Sequence, residues 1–138
     1  LIYLDTSAVI ALLTMDAFSD AAAARLSSNG LPLAVSDFTT AEVFAVLAIK
    51  ARRGDLGADQ RDAAAARYDR FRVAEARCFP LHAEDARVAG QFVRQFDLKL
   101  RAPDALQLAI CQRIGTTLLS FDDDQCTAAA KLGIPLAR

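Results

Sequence analysis

Four acidic residues, widely separated in the chain, each stand where an apolar stretch meets a turn or a helix start: Asp5, Glu42, Asp104 and Asp122. Asp5 follows the strand-like run Leu1-Ile2-Tyr3-Leu4, and Asp122 comes just after Leu118-Leu119-Ser120-Phe121. Glu42 and Asp104 fall in the first turns of otherwise apolar helices. In a chain that alternates strand and helix, such positions converge at the carboxyl edge of a parallel sheet, where open α/β folds bind their ligands. Carboxylates gathered as anions raise one another's pKa and oppose the compact state unless a cation joins them. An all-oxygen set without a His or Cys cluster selects Mg²⁺ or Mn²⁺ over zinc. Such an ion activates water, orients a phosphate and stabilises charge on the leaving oxygen. The pattern implies metal-dependent hydrolysis of a phosphodiester.

Each acid also has a bland reading. Asp5-Thr6-Ser7 is an ordinary helix start. Glu42 shares a helix face with Phe38, Ala45, Val46 and Ile49 at about 100° per residue, so its carboxylate points to the packed side. An unpartnered glutamate there is costly, and the helix offers no basic residue before Lys50. The alternative is a glutamate favoured by the dipole at a helix amino end. Asp104 carries Leu108 and Cys111 on its own face, again an inward one. In Asp122-Asp123-Asp124 one acid caps the helix that follows and another is free to face a metal; spacing does not say which. The set argues more strongly than any member.

The elements that must position these residues alternate. Leu1–Leu4 reads as a strand and Ala8–Leu13 as a helix. A second helix runs from Ser19 to Ser28, stopping at Asn29-Gly30, and Leu33–Val35 is a short strand. A helix begins near Phe38 and ends in the basic tail Lys50-Ala51-Arg52-Arg53 before Gly54. A polar, arginine-rich helix spans Asp59 to Ala76, and Cys78–Leu81 is a weak strand that Pro80 places at a sheet edge. Ala83–Phe96 is a helix, with Phe92 and Phe96 expected together in the core. Pro103 opens the next helix as a first-turn proline. Thr116–Leu119 is the clearest internal strand, followed by a helix over Asp124–Leu132 and a last strand, Ile134–Leu136. This alternation predicts an α/β fold, a three-layer α/β/α sandwich with a central, mainly parallel sheet. Residues 1–138 read as one domain.

Of 138 residues, 54% are hydrophobic and 24% charged, with a net charge of -1 and a pI near 5.8. No global field attracts nucleic acid, so any such binding rests on a local basic patch and on the metal. Cys78, Cys111 and Cys126 are odd in number and lack zinc spacing, which suits reduced thiols in a cytoplasmic protein. No leader and no membrane span is expected. His82 is expected to be exposed or capping, and no dinucleotide or nucleoside triphosphate motif is present. A haloacid-dehalogenase-like phosphatase would need a second Asp where Ser7 stands. A receiver domain would need a mid-chain strand-end Asp and a late lysine; Ser36-Asp37 is the nearest approach. A catalytically silent RNA-binding scaffold would be favoured by a missing carboxylate, and none is missing.

The segments Leu4-Asp5-Thr6-Ser7-Ala8, Thr40-Ala41-Glu42-Val43, Pro103-Asp104-Ala105-Leu106-Gln107-Leu108-Ala109 and Leu118-Leu119-Ser120-Phe121-Asp122 resemble, in order, the four acidic motifs of PIN-domain ribonucleases. The length is similar to that of VapC-type toxins of toxin–antitoxin pairs. The resemblance implies an endoribonuclease that uses Mg²⁺ or Mn²⁺ to cut single-stranded or looped RNA, leaving 3′-hydroxyl and 5′-phosphate ends. It assigns Asp5, Glu42, Asp104 and Asp122 to metal and catalysis. It assigns Ser7 and Ser120 to steadying carboxylates and waters, and Asp124 to an occasional extra acid. It further implies a homodimer and a cognate antitoxin, with operator DNA reached only through that antitoxin. Gln107 departs from the pattern, standing where many relatives carry His, three residues after the third acid.

Lys50, Arg52 and Arg53, with Arg61, Arg67, Arg70, Arg72 and Arg77 on the following helix, read mostly as solvated faces. Lys99 and Arg101 differ, because their loop leads into Asp104 and could hold phosphates flanking the cut. Val9, Leu12 and Leu13 near Asp5, with Val43, Phe44 and Leu47 near Glu42, suggest an apolar surface for a partner.

Overall fold

A computed structural model describes residues 1–14 and 18–137. Four parallel strands, β1 (Ile2–Leu4), β2 (Leu33–Ser36), β3 (Ala76–Phe79) and β4 (Thr117–Leu119), lie in the order β3-β2-β1-β4. Among the described residues seven α-helices flank them: α1 (Thr6–Thr14), α2 (Ser19–Asn29), α3 (Asp37–Arg52), α4 (Ala58–Ala74), α5 (Ala83–Val93), α6 (Ala102–Ile114) and α7 (Asp123–Lys131). Strand side chains alternate between faces, and the core divides accordingly. Tyr3, Ala34 and Leu118 pack with α5, α6 and α7, whereas Ile2, Leu4, Val35 and Leu119 pack with α1, α3 and α4. The result is the expected three-layer α/β/α sandwich.

The chain adds β2 and β3 on one side of β1 and then crosses to place β4 on the other. Connections leaving β1 and β4 therefore diverge, and a crevice opens beyond their carboxyl ends. Asp5 follows β1 and Asp122 follows β4 at that crevice.

Several local expectations shift for identifiable reasons. β3 ends at Phe79 rather than Leu81, because Pro80 has no N–H to continue the ladder; the strand is at the sheet edge, as Pro80 required. The last strand shrinks to one bridge, Leu118 with Leu136, beside Pro135. Helix α5 stops at Val93, and Phe96 falls in a short 3-10 helix, Phe96–Leu98. Phe92 is buried as expected, but Phe96 is 89% exposed and is not a core residue. Arg77 lies on β3 rather than on α4. Of the six apolar residues expected to flank the acids as a surface, Val9, Leu13, Val43 and Leu47 are buried in the core, and Leu12 packs against it. Phe44 is partly exposed, edge-on to Tyr68.

Candidate active site

Asp5 is held by the turn it opens. Its Oδ1 accepts hydrogen bonds from the Ser7 hydroxyl (2.7 Å) and the Ala8 N–H (2.9 Å), which fixes it at the start of α1. Oδ2 accepts from Ser120 Oγ at 2.6 Å, across from the end of β4. Ser7 Oγ in turn accepts the Phe121 N–H (2.8 Å), and Ser120 Oγ accepts the Asp122 N–H (3.1 Å). These two serines therefore tie the β1 and β4 ends together around one carboxylate. Burial raises the Asp5 carboxyl to about 6, against the pull of the Ser120, Ala8 and Ser7 hydrogen bonds, and the nearby Asp122 charge adds to the rise.

Glu42 sits farther along its helix than the sequence suggests. Ser36 caps α3 by accepting the Thr39 N–H (3.0 Å), so the helix starts at Asp37 and Glu42 lies in its second turn. The dipole effect fades within the first turn, so helix-end electrostatics do not account for this acid. Its Oε2 instead accepts hydrogen bonds from Thr6 Oγ1 (2.7 Å) and Gln107 Nε2 (2.5 Å). Beneath it, Tyr3 Oη meets Ser36 Oγ at 2.8 Å and Thr39 Oγ1 at 3.0 Å, and it donates to Gln107 Oε1. Tyr3, Ser36, Thr39 and Gln107 are all essentially inaccessible.

Asp104 stands in the first turn of α6, where Pro103 supplies the expected helix start. Leu108 and Cys111, on its own face, are fully buried. Its Oδ2 pairs with Arg101 Nε at 3.1 Å. The charge of Asp104 and its hydrogen bond raise the Arg101 pKa, with Asp122 and Glu42 adding to the effect, so this exposed guanidinium lies in the field of three of the acids. Asp122 is the residue of the acidic triplet that caps α7, accepting the Gln125 N–H at 2.8 Å, and it also faces the crevice.

All four acids line one cavity of about 370 Å³, together with Thr6, Ser7, Arg101, Gln107 and Gln125. Its remaining wall is apolar: Ile10, Val46, and the rings of Phe18 and Phe121, stacked with centroids 5.0 Å apart. Arg25 lies over the Phe121 ring at 5.0 Å. Asp124 is exposed on the first turn of α7 and does not line this cavity, nor do the arginines of α4. One of the latter, Arg67, donates to the Leu13 carbonyl (2.8 Å) near the end of α1. His82 is the residue before α5, where its N–H donates to Asp85.

Among the described residues, no three His, Cys, Asp or Glu side chains are gathered closely enough to hold one ion between them. Mg²⁺ does not require such a cage: it dehydrates reluctantly and is held through one or two carboxylates plus waters. A roomy, oxygen-lined cavity with four acids on its wall fits that mode. The residues that sequence reasoning passed over are Tyr3, Thr6, Thr39 and Gln125. Only Tyr3, a polar group inside the apolar run of β1, carries a signal of its own; Thr6 and Gln125 sit among polar neighbours.

A parallel sheet with an acidic crevice at its switch point defines the ligand-binding edge of an open α/β fold. The chain belongs to the PIN domain family, which it matches over residues 2–131. Among solved structures it is similar to the sarcin–ricin-loop-cleaving toxin VapC20 of Mycobacterium tuberculosis, at 22% identity and a TM-score of 0.73, covering 93% of this chain and 95% of that one. FitAcB of Neisseria gonorrhoeae gives 17% identity and a TM-score of 0.70, covering 100% and 97%. VapBC2 of Rickettsia felis, bound to a fragment of promoter DNA, gives 15% and 0.66, covering 99% and 97%. No curated protein matches the chain in sequence.

Proposed function

We propose that the protein is a metal-dependent endoribonuclease that cuts unpaired RNA and serves as the toxin of a toxin–antitoxin pair. The observation that carries this reading is the convergence of Asp5, Glu42, Asp104 and Asp122 on one cavity at the switch point of a PIN-family fold. Asp5, Glu42, Asp104 and Asp122 would hold Mg²⁺ or Mn²⁺, directly or through water. When bound, the ion supplies charge neutralisation at the phosphate and makes water a stronger nucleophile.

The chain's own groups do the rest. Ser7 and Ser120 keep Asp5 facing the cavity. Water adds to phosphorus as the bond to O3′ breaks, one proton passing to the departing oxygen; the products carry 3′-hydroxyl and 5′-phosphate ends. Arg101, freed from Asp104 once a cation takes that carboxylate, is placed to hold a flanking phosphate. The stacked Phe18 and Phe121 rings give an unpaired base a flat apolar wall beside the acids.

The toxin reading leans on the structural likeness to toxin–antitoxin complexes. A small antitoxin placing an Arg or Lys among the carboxylates would displace the ion and close the site, and operator DNA would be reached only through that antitoxin. A homodimer would cover exposed apolar groups such as Val73 and Phe96, 85% and 89% accessible. No single helix among the described residues is long and apolar enough to cross a membrane, which is compatible with a cytoplasmic setting.

The test is cleavage of a single-stranded RNA. Chelation should abolish it, Mg²⁺ or Mn²⁺ should restore it, and Asp104→Asn should lose most of the rate while retaining the fold. Undiminished cleavage by chelated protein would defeat the metal reading, and wild-type turnover by Asp104→Asn would remove that residue from the catalytic set. Full activity after adding the product of the adjacent open reading frame would defeat the toxin–antitoxin reading alone.

A further inference from the structure

Gln107 is 2% exposed, carries no charge, and reaches an acid from the interior side. We propose that Gln107 is the positioning residue for Glu42, and that Tyr3 holds its amide in the one orientation that offers N–H groups to the carboxylate. This rests on the metal-site reading of the cavity.

The orientation follows from counting donors. Gln107 Oε1 receives the Tyr3 hydroxyl and the Thr39 hydroxyl (3.2 Å). Its Nε2 has two hydrogens, and they have two acceptors: Glu42 Oε2 (2.5 Å) and Thr6 Oγ1 (3.1 Å). Thr6 passes its own hydrogen to the same Glu42 oxygen. Ser36 accepts the Thr39 N–H and lies 2.8 Å from Tyr3, so its hydroxyl hydrogen can point to Tyr3. Every proton in the chain then runs toward Glu42. A flipped amide would set Oε1 against the carboxylate and N–H groups against hydroxyls that already donate. Buried polar groups tolerate neither arrangement well, and no buried side-chain polar atom among the described residues is left without a partner.

The chemistry explains why an amide suits this position. A lysine or arginine would hold Glu42 equally firmly but would neutralise it and compete with a cation for its charge. A neutral donor fixes one oxygen and leaves the negative charge available. Both clamping donors converge on Oε2, so Oε1 takes no part in the clamp. Outer-shell partners of this kind orient the groups that touch a metal, and their removal lowers metal affinity roughly 10–100-fold.

The experiment measures Mn²⁺ dissociation constants by calorimetry, without RNA, on wild type, Gln107→Met, Tyr3→Phe and Asp104→Asn, with thermal unfolding recorded for each. Asp104→Asn serves as the reference for the site. The expected result is a loss of roughly 10–100-fold for Gln107→Met and a smaller loss in the same direction for Tyr3→Phe, which keeps the ring but frees the amide to turn. If Asp104→Asn weakens Mn²⁺ binding and folded Gln107→Met does not, the positioning role is overturned and the metal site stands. If none of the variants changes Mn²⁺ affinity, the metal reading itself falls and takes this inference with it. Should Gln107→Met fail to fold, Tyr3→Phe decides: unchanged affinity in the folded variant overturns the proposal, and a loss supports it.

Discussion

Asp5 is 4% exposed and surrounded by three hydrogen-bond donors, yet burial still lifts its carboxyl to about 6. The unfolded value is about 3.9. A carboxyl whose folded pKa lies above its unfolded one holds its proton more tightly in the folded chain. It therefore favours folding at acid pH, and that contribution fades as pH rises from about 4 through about 6. At neutral pH the ionised group costs on the order of 3 kcal/mol relative to acid. A cation bound at the cavity, as proposed, would remove much of that cost, so the rise in melting temperature on adding Mn²⁺ should be larger at pH 7.5 than at pH 5. Metal-free Asp5→Asn should be more stable than wild type at pH 7.5, with the difference shrinking toward pH 4. Equal differences at both pH values would mean that Asp5 ionises without penalty. At this scale the sequence displays the acids, because each stands at a boundary between apolar and polar chain. It hides the pairing of their supports: Tyr3 and Gln107 are 104 positions apart, and Ser120, named only through the family resemblance, meets Asp5 across 115. Only the crossover that brings β4 beside β1 makes those contacts.

Among the elements, α5 and α6 are pinned by an ion pair that periodicity does not reveal. Asp85, 1% exposed, receives Arg113 Nε at 2.6 Å and Nη2 at 3.0 Å, and Nη2 also donates to the Pro80 carbonyl at 2.9 Å. One guanidinium thus joins the start of α5, the end of α6 and the exit of β3. Burial pushes the Asp85 carboxyl up, but the Arg113 hydrogen bonds, the His82 N–H and the Arg113 charge together bring it below the usual range. With the folded value depressed, its stabilisation is present above about pH 4 and is lost as pH falls through the folded value. Arg113→Met should cost about 3 kcal/mol at neutral pH, because it leaves a buried carboxylate unpaired. The deficit should shrink under acid, as chemical denaturation at pH 7 and pH 3 would show; the same loss at both would assign the effect to packing alone. The helices themselves were legible from apolar spacing, caps and Pro103. Boundaries failed where backbone details decide them: Pro80 cut β3 short, the Ser36 cap moved Glu42 into the second turn, and the end of α5 at Val93 left Phe96 in solvent.

For the molecule as a whole, a net charge of -1 and the distribution of its arginines limit how the proposed RNA substrate would be held. The α4 arginines lie away from the acidic cavity: none of them lines it, Arg61 pairs with Asp62 and Arg67 serves the end of α1. Among the described residues, Arg101 is the one cation in the cavity lining, and Arg25 lies over the Phe121 ring. Affinity for single strands falls with salt at a slope of about -0.7 per phosphate neutralised. One contact from Arg101 gives a slope near -0.7, so raising salt from 50 to 200 mM should weaken binding only about threefold. The greater part of the affinity would then come from stacking and, in the wild type, from a metal–phosphate contact, which salt screens less. Fluorescence anisotropy of Asp104→Asn with a labelled single-stranded RNA, across a salt series, reads the slope directly. Arg101→Gln should reduce its magnitude by about 0.7, and Phe121→Leu should weaken binding while leaving the slope unchanged. A slope steeper than about -4 would require some six phosphate contacts, more than the cavity's cations can make, and would move the RNA path onto the basic residues of α3 and α4.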